Sequence, residues 1–138
     1  MTEFSYPFKV YLEDTDAGGI VYHANYLKFM ERGRTEFLIS IGFPKPALLE
    51  GGLLLVVHSM NIQFLRPAKL GDNLQVTTKL NKLARTYVNF LQKVSSAGPD
   101  SQLLCEAEVK IACVEHTALK PCVMPEALRA ALEQFVLK

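Results

Sequence analysis

Ala24-Asn25-Tyr26-Leu27-Lys28-Phe29-Met30-Glu31-Arg32-Gly33-Arg34-Thr35-Glu36-Phe37-Leu38-Ile39-Ser40-Ile41 changes the period of the chain. Tyr26, Met30, Gly33, Phe37 and Ile41 recur at helical spacing, with Phe29 beside them. Lys28, Glu31, Arg32, Arg34 and Glu36 fill the other positions. This spacing predicts one long amphipathic helix from about Ala24 to Ile41, ended by Gly42 and Pro44. Gly33 on the apolar stripe would let the helix approach its neighbour closely. The charged positions read as a solvated helix face or as subunit contacts.

Most of the chain around this helix reads as strand. Before it, Phe8, Val10 and Leu12 alternate with Lys9, Tyr11 and Glu13 as a half-buried strand. Asp14-Thr15-Asp16-Ala17-Gly18-Gly19 is then a turn. After the helix, Val56, His58, Met60, Ile62 and Phe64 alternate up to Pro67, and Lys69 to Asn73 is a turn. Leu74, Val76, Thr78 and Leu80 make the next strand; Val88, Phe90, Gln92 and Val94 make another. Leu103, Cys105, Ala107, Val109, Ile111 and Cys113 make a long last one. Pro125 opens a short helix carrying Leu128, Leu132 and Phe135. Sequential strands with short turns are antiparallel. A curved antiparallel sheet wrapped around the one long helix, an α+β hotdog fold, is the expected architecture. Its open edges predict pairing into a dimer.

Composition sets outer bounds. The 138 residues read as one domain, residues 1–138. Apolar residues are 49%, charged residues 21% and the net charge is +1, an ordinary globular balance with no general electrostatic case for nucleic acid. No apolar run approaches a membrane span, and Met1 to Pro7 lacks the pattern of a signal peptide. Cys105 and Cys113, on one strand, would lie roughly 27 Å apart and cannot bridge. Reduced thiols and a cytoplasmic location are therefore expected. The histidines and cysteines show no close metal-ligand spacing, so no zinc site is expected.

The chemistry concentrates in Glu13-Asp14-Thr15-Asp16-Ala17-Gly18-Gly19-Ile20-Val21-Tyr22-His23-Ala24-Asn25-Tyr26. Carboxylates and a histidine surround a glycine turn that leads into a helix. A helix start presents unpaired N–H groups and partial positive charge, which stabilise negative charge developing on a carbonyl oxygen. A carboxylate facing the same spot could attack that carbonyl or activate water. Acidic residues ahead of a helix also serve as caps and turn formers, and spacing alone does not separate these roles.

The run Val10 to Gly19, with Val21-Tyr22-His23-Ala24-Asn25-Tyr26, Glu31-Arg32-Gly33-Arg34-Thr35-Glu36 and Phe64-Leu65-Arg66-Pro67-Ala68-Lys69-Leu70-Gly71-Asp72, resembles the YbgC-type acyl-CoA thioesterases, relatives of 4-hydroxybenzoyl-CoA thioesterase. The resemblance covers about the whole chain. It implies hydrolysis of an acyl-CoA to a carboxylic acid and coenzyme A. Asp16 matches the catalytic nucleophile or general base. The His23 backbone N–H matches the group that polarises the carbonyl, and the His23 side chain matches an assisting histidine. The family often has a second tyrosine where this chain has Leu12, and alanine where it has Gly33.

Tyr22, His58, Arg85 and Thr86 are the substrate-binding candidates. His58 reads as a core or pocket-lining histidine. Arg85 is either a surface arginine or a coenzyme A phosphate contact. His116 reads as solvated, and Asp14 as a turn or capping residue. The resemblance implies no metal or organic cofactor, coenzyme A being part of the substrate. It implies a homodimer or homotetramer, with acyl carrier protein or Tol-Pal components as further partners. A non-catalytic acyl-carrier or Tol-Pal-associated scaffold is the rival from another class. A hotdog dehydratase relies on a differently placed histidine and acid.

Overall fold

The structure, a computed structural model, describes residues 3–45 and 48–137. Met1 and Thr2, at the start of the N-terminal stretch read for a signal peptide, lie outside the described residues. Strand β1 (Phe4–Lys9) leads to helix α1 (Asn25–Ser40). Then follow β2 (Leu48–Leu49), β3 (Leu53–Phe64), β4 (Asn73–Leu83), β5 (Tyr87–Ser96), β6 (Leu103–Glu115) and helix α2 (Glu126–Glu133). The strands form one sheet in the order β1-β4-β5-β6-β3-β2, every pair antiparallel. The sheet curls around α1, which packs on β1, β4 and β5. This is the expected hotdog architecture.

The helix forms where its periodicity places it, and its apolar stripe is the centre of the core. Tyr26, Phe29, Met30 and Phe37 are buried against Leu74, Val76 and Leu80 of β4 and Val88, Phe90 and Val94 of β5. A fully buried side chain of this kind contributes roughly 1.5–3 kcal/mol. Gly33 performs the close approach expected of it. A Cβ there would stand 2.7 Å from Val76 Cγ1. Leu128 and Leu132 of α2 close one end of the core. Among the described residues, no helix is long and apolar enough to cross a membrane.

Four local expectations need correction. The first strand ends at Lys9, and Leu12–Asp14 forms a 3-10 turn that exposes Leu12 and buries Asp14. The Asp14 carboxylate takes the Tyr11 N–H at 2.9 Å, and such local side-chain bonds compete with a sheet ladder. In β3 the register shifts between Val57 and Ser59, leaving His58 as the extra residue of a β-bulge. One extra residue inverts the alternation. Leu55 and Val57 therefore oppose the inward Cys113 and Ile111, and Met60, Ile62 and Phe64 oppose Val109, Ala107 and Cys105. Val56 falls on the other face. His58 is exposed, with Nδ1 3.2 Å from Ser59 Oγ, so it is not a core histidine.

The remaining two concern Arg34 and the strand order. Arg34 is buried rather than solvated. Its Nη1 donates to Gln92 Oε1 at 2.9 Å, while Gln92 Nε2 donates to the Met30 carbonyl at 2.8 Å and to Thr78 Oγ1 at 3.1 Å. Burial lowers the Arg34 pKa from its ordinary value, with Glu31 opposing the shift. Finally, β3 and β4 are consecutive in the chain but do not pair. β5 and β6 lie between them, and the intervening link crosses from one side of the sheet to the other. The short β2, which the sequence did not suggest, caps only the first two residues of β3.

Candidate active site

The segment between β1 and α1 is a loop built on its own polar side chains. Val10 N–H donates to the Asp72 carbonyl at 3.0 Å, which fixes where the chain leaves the sheet. Asp14 then ties the loop's two ends together. Its Oδ2 accepts from Tyr11 N–H, and its Oδ1 accepts from Asn25 Nδ2, both at 2.9 Å. Its carbonyl accepts the Tyr22 N–H at 2.9 Å. Asp14 is 3% exposed, so each of its carboxylate oxygens is held by the fold. That accounts for the turn-forming role expected of it.

Asp16 differs in every respect. It sits at the tip, exposed, in a tight turn closed by Asp16 N–H to the Ile20 carbonyl at 3.0 Å and Gly19 N–H to the Asp16 carbonyl at 3.1 Å. Gly18 N–H donates to Asp16 Oδ1 at 2.9 Å. Oδ2 has no partner among the described residues. Gly19 has φ +78°, a conformation that L side chains rarely adopt. A Cβ on Gly18 would come 3.3 Å from Asp16 Oδ1 and crowd the carboxylate. The two glycines therefore shape the turn and leave room for Asp16 Oδ1 to take the Gly18 N–H.

The other half of the site is the start of α1. The Tyr22 and His23 carbonyls accept the Asn25 N–H at 2.8 Å and the Tyr26 N–H at 3.3 Å. The N–H groups of His23 and Ala24 have no partner among the described residues, and no side chain caps the helix. This is the positive end of a 16-residue helix dipole. The His23 ring lies 4.6 Å from the Tyr22 ring and 6.0 Å, edge-on, from Phe64. Tyr26 meets Phe64 at 5.7 Å, and its hydroxyl accepts the Ala68 N–H at 3.1 Å. Burial raises the Tyr26 pKa above its ordinary value, so the phenol stays neutral. Val21 N–H to the Ala68 carbonyl, 2.9 Å, completes a frame that locks residues 64–69 beneath the loop and the helix start.

The structure thus brings Asp16, Tyr22 and His23 to one end of the fold. No hydrogen bond joins the Asp16 carboxylate to His23. The remaining candidates lie elsewhere on the same chain. His58 is six residues before Phe64, about 20 Å back along β3. Arg85 and Thr86 follow Leu83, the far end of an 11-residue strand that starts beside the Asp16 loop, so about 36 Å of strand intervenes. Arg85 is exposed, and the Arg85 and Thr86 carbonyls accept Met124 N–H at 2.9 Å and Cys113 N–H at 2.8 Å.

Two contributors escaped the reading of the sequence. Asn25, at the helix start, is the residue through which Asp14 holds the loop to the helix. A buried carboxylate eleven residues upstream of an amide leaves no periodic signal. Phe64 is the aromatic wall against His23; alternation placed it on the inward face with Met60 and Ile62, but its partner at the helix start comes from a distant segment.

Comparison with known proteins accords with this geometry. The family model for the thioesterase-like superfamily matches residues 10–132. The chain belongs to that superfamily. Membership makes it a thioester hydrolase by class. The acyl-CoA thioester hydrolase YbgC of Escherichia coli O6:H1 is 40% identical over 133 residues, 96% of this chain and 98% of the relative. The acyl-CoA thioesterase YbgC of Haemophilus influenzae is 42% identical, with 96% of each chain covered. Among solved structures, a probable thioesterase from Bartonella henselae superposes with a TM-score of 0.78 at 35% identity, covering 91% of this chain and all of that one.

Proposed function

We propose that this protein hydrolyses acyl-CoA thioesters to a free carboxylic acid and coenzyme A, with Asp16 delivering the attack. The observation that carries this reading is the pairing of two open groups at one end of the fold. Asp16 presents a free carboxylate oxygen, and the helix start presents unpaired His23 and Ala24 N–H groups. In this reading the thioester carbonyl oxygen lies against the His23 N–H. Charge developing on that oxygen is stabilised by a donor and a dipole already in place. Asp16 acts on the carbonyl carbon directly, forming an anhydride that water then opens, or it removes a proton from the attacking water. Either way the carbon–sulfur bond breaks and coenzyme A leaves as the thiol. The His23 ring assists, and Tyr22 lines the approach. A thioester is already an activated acyl group, so no metal or organic cofactor enters this reading. The test is release of free thiol from a panel of short, long and aromatic acyl-CoAs. Turnover of at least one class is expected, and none across the panel would overturn the proposal.

A second copy of the chain completes the molecule in this reading. β2 covers only Leu53 and Leu54, so the outer edge of β3 from Leu55 to Phe64 has no strand partner among the described residues. An open edge of that length invites pairing with another β3. Light scattering is expected to show a dimer or a multiple of one. A stable, active 15.4 kDa species would contradict it.

With about 36 Å of β4 between Arg85 and the Asp16 loop of its own chain, the arginine that meets a phosphate of coenzyme A under the same reading is Arg85 of a second copy. Its side chain is exposed and has no ion-pair partner among the described residues. Arg85→Ala is then expected to raise KM several-fold for a CoA thioester and to leave KM for the matching pantetheine thioester unchanged. Turnover at saturation stays the same, because the contact is equally present in ground and transition states. Salt reduces the effect. Equal effects on both substrates would return Arg85 to the ordinary surface.

A further inference from the structure

Two of the three cysteines stand side by side. Cys113 lies on β6 with its side chain in the core. After β6 the chain turns back along the strand, with Glu115 N–H donating to the Lys120 carbonyl at 2.8 Å and Cys122 N–H to the Cys113 carbonyl at 3.0 Å. Val114 and Pro121 form the bridge between these bonds. Residues opposed across antiparallel segments have Cα atoms about 4.5–5.5 Å apart, within the span of a disulfide. The two sulfur atoms are already 3.8 Å apart. Closing that gap asks for side-chain rotation and little backbone movement. Cys105 is on β6 eight residues earlier, too far to compete for either.

We propose that Cys113 and Cys122 are a reversible intramolecular disulfide site, with Cys122 the attacking thiol and Cys113 the resolving one. The oxidant is a low-molecular-weight disulfide. The half-buried Cys122 thiolate attacks one of its sulfurs, forms a mixed disulfide and releases one small thiol. Cys113 then gives its proton to solvent and attacks the Cys122 sulfur, expelling the second small thiol. Two cysteine thiols and one small disulfide become one protein disulfide and two small thiols. The order follows from access. Cys113 is fully buried, and burial, then the Cys122 sulfur beside it, hold its thiol protonated, with a pKa pushed up to about 12. It reacts only when an electrophilic sulfur is delivered next to it. The crosslink joins two backbone segments that support one loop. Cys113 N–H holds the Thr86 carbonyl, and Met124 N–H, two residues after Cys122, holds the Arg85 carbonyl.

The experiment treats the folded protein with oxidised glutathione and reads intact mass, peptide mapping and thiols titrated in urea. The expected product has lost two hydrogen atoms, maps to a Cys113–Cys122 link, leaves only Cys105 titratable, and is reversed by a reductant. Cys113→Ser is expected to stop at a glutathione adduct on Cys122, and Cys122→Ser to stay unmodified. Serine is nearly isosteric with cysteine, and circular dichroism confirms that each variant is folded. Three titratable thiols after treatment, a link through Cys105, or a crosslinked dimer would overturn the site. Modification of Cys113 in the Cys122→Ser variant at the rate of the parent protein would overturn the order. None of these readouts depends on which thioester the enzyme cleaves.

Discussion

Asp16→Asn is expected to reduce thioester hydrolysis by at least about 100-fold, the scale of removing a general base or a carboxylate nucleophile. The substitution is nearly isosteric. The amide oxygen can still accept the Gly18 N–H that Asp16 Oδ1 now takes at 2.9 Å, so the turn keeps its closing bond. What disappears is the negative charge and the free carboxylate oxygen. Asp16 is exposed at the loop tip and makes no bond to any other element, so stability should change by no more than an ordinary surface substitution, within about 0.5 kcal/mol. Turnover is read as thiol release under saturating acyl-CoA, with circular dichroism and thermal melting alongside. A folded variant with near-parental turnover would remove Asp16 from the mechanism. Asp14→Asn supplies the contrast. Asp14 is buried and holds both Tyr11 N–H and Asn25 Nδ2, and an amide cannot accept both bonds with its two ends alike. Its effect should therefore fall on stability as well as on turnover.

Phe37→Ala is expected to cost about 3–5 kcal/mol of folding stability, the range for truncating a buried aromatic. Phe37 is 1% exposed. Its ring stands 5.8 Å from Phe4 of β1, 6.1 Å from Phe90 of β5 and 5.1 Å from Phe135 just after α2. One side chain of α1 thus touches the sheet edge, the sheet centre and the C-terminal cover, and a void there has three separate walls that cannot collapse together. Since a domain has about 5–15 kcal/mol in all, the variant should be near the threshold of folding. Urea unfolding at fixed protein concentration measures this, the fixed concentration keeping any subunit association constant. A loss below about 1 kcal/mol would show that the aromatic cluster is not a keystone of the fold.

The sequence made the central helix plain because a single apolar stripe over four turns has only one regular solution. Its ends fell within one residue of Asn25–Ser40. β4 and β5 were equally legible, since Leu74 to Leu80 and Val88 to Val94 alternate without interruption and every inward position is buried. Gly33 was read correctly as a point of close approach, because only a missing Cβ makes sense on an apolar stripe. The Asp16 and His23 candidates came from a long local pattern, and local patterns survive folding. The structure sets both at the end of the fold where the helix begins.

What only the tertiary structure decided is long-range or turns on one inserted residue. The bulge at His58 reversed the faces of half a strand, and no composition signal marks an extra residue within an alternating run. Met60, Ile62 and Phe64 kept the face that alternation gave them, while Leu55 and Val57 replaced Val56 and His58 on it. Arg34 looked like a solvated charge because charged residues are rarely buried. It is buried because Gln92, 58 residues away, supplies an acceptor inside the core. Strand order was hidden for the same reason: β1 pairs with β4, and β3 with β6, through contacts between residues far apart in the chain. Periodicity reports which side of an element is buried. Which other element buries it, and which polar group is satisfied there, are settled only when distant segments pack against one another.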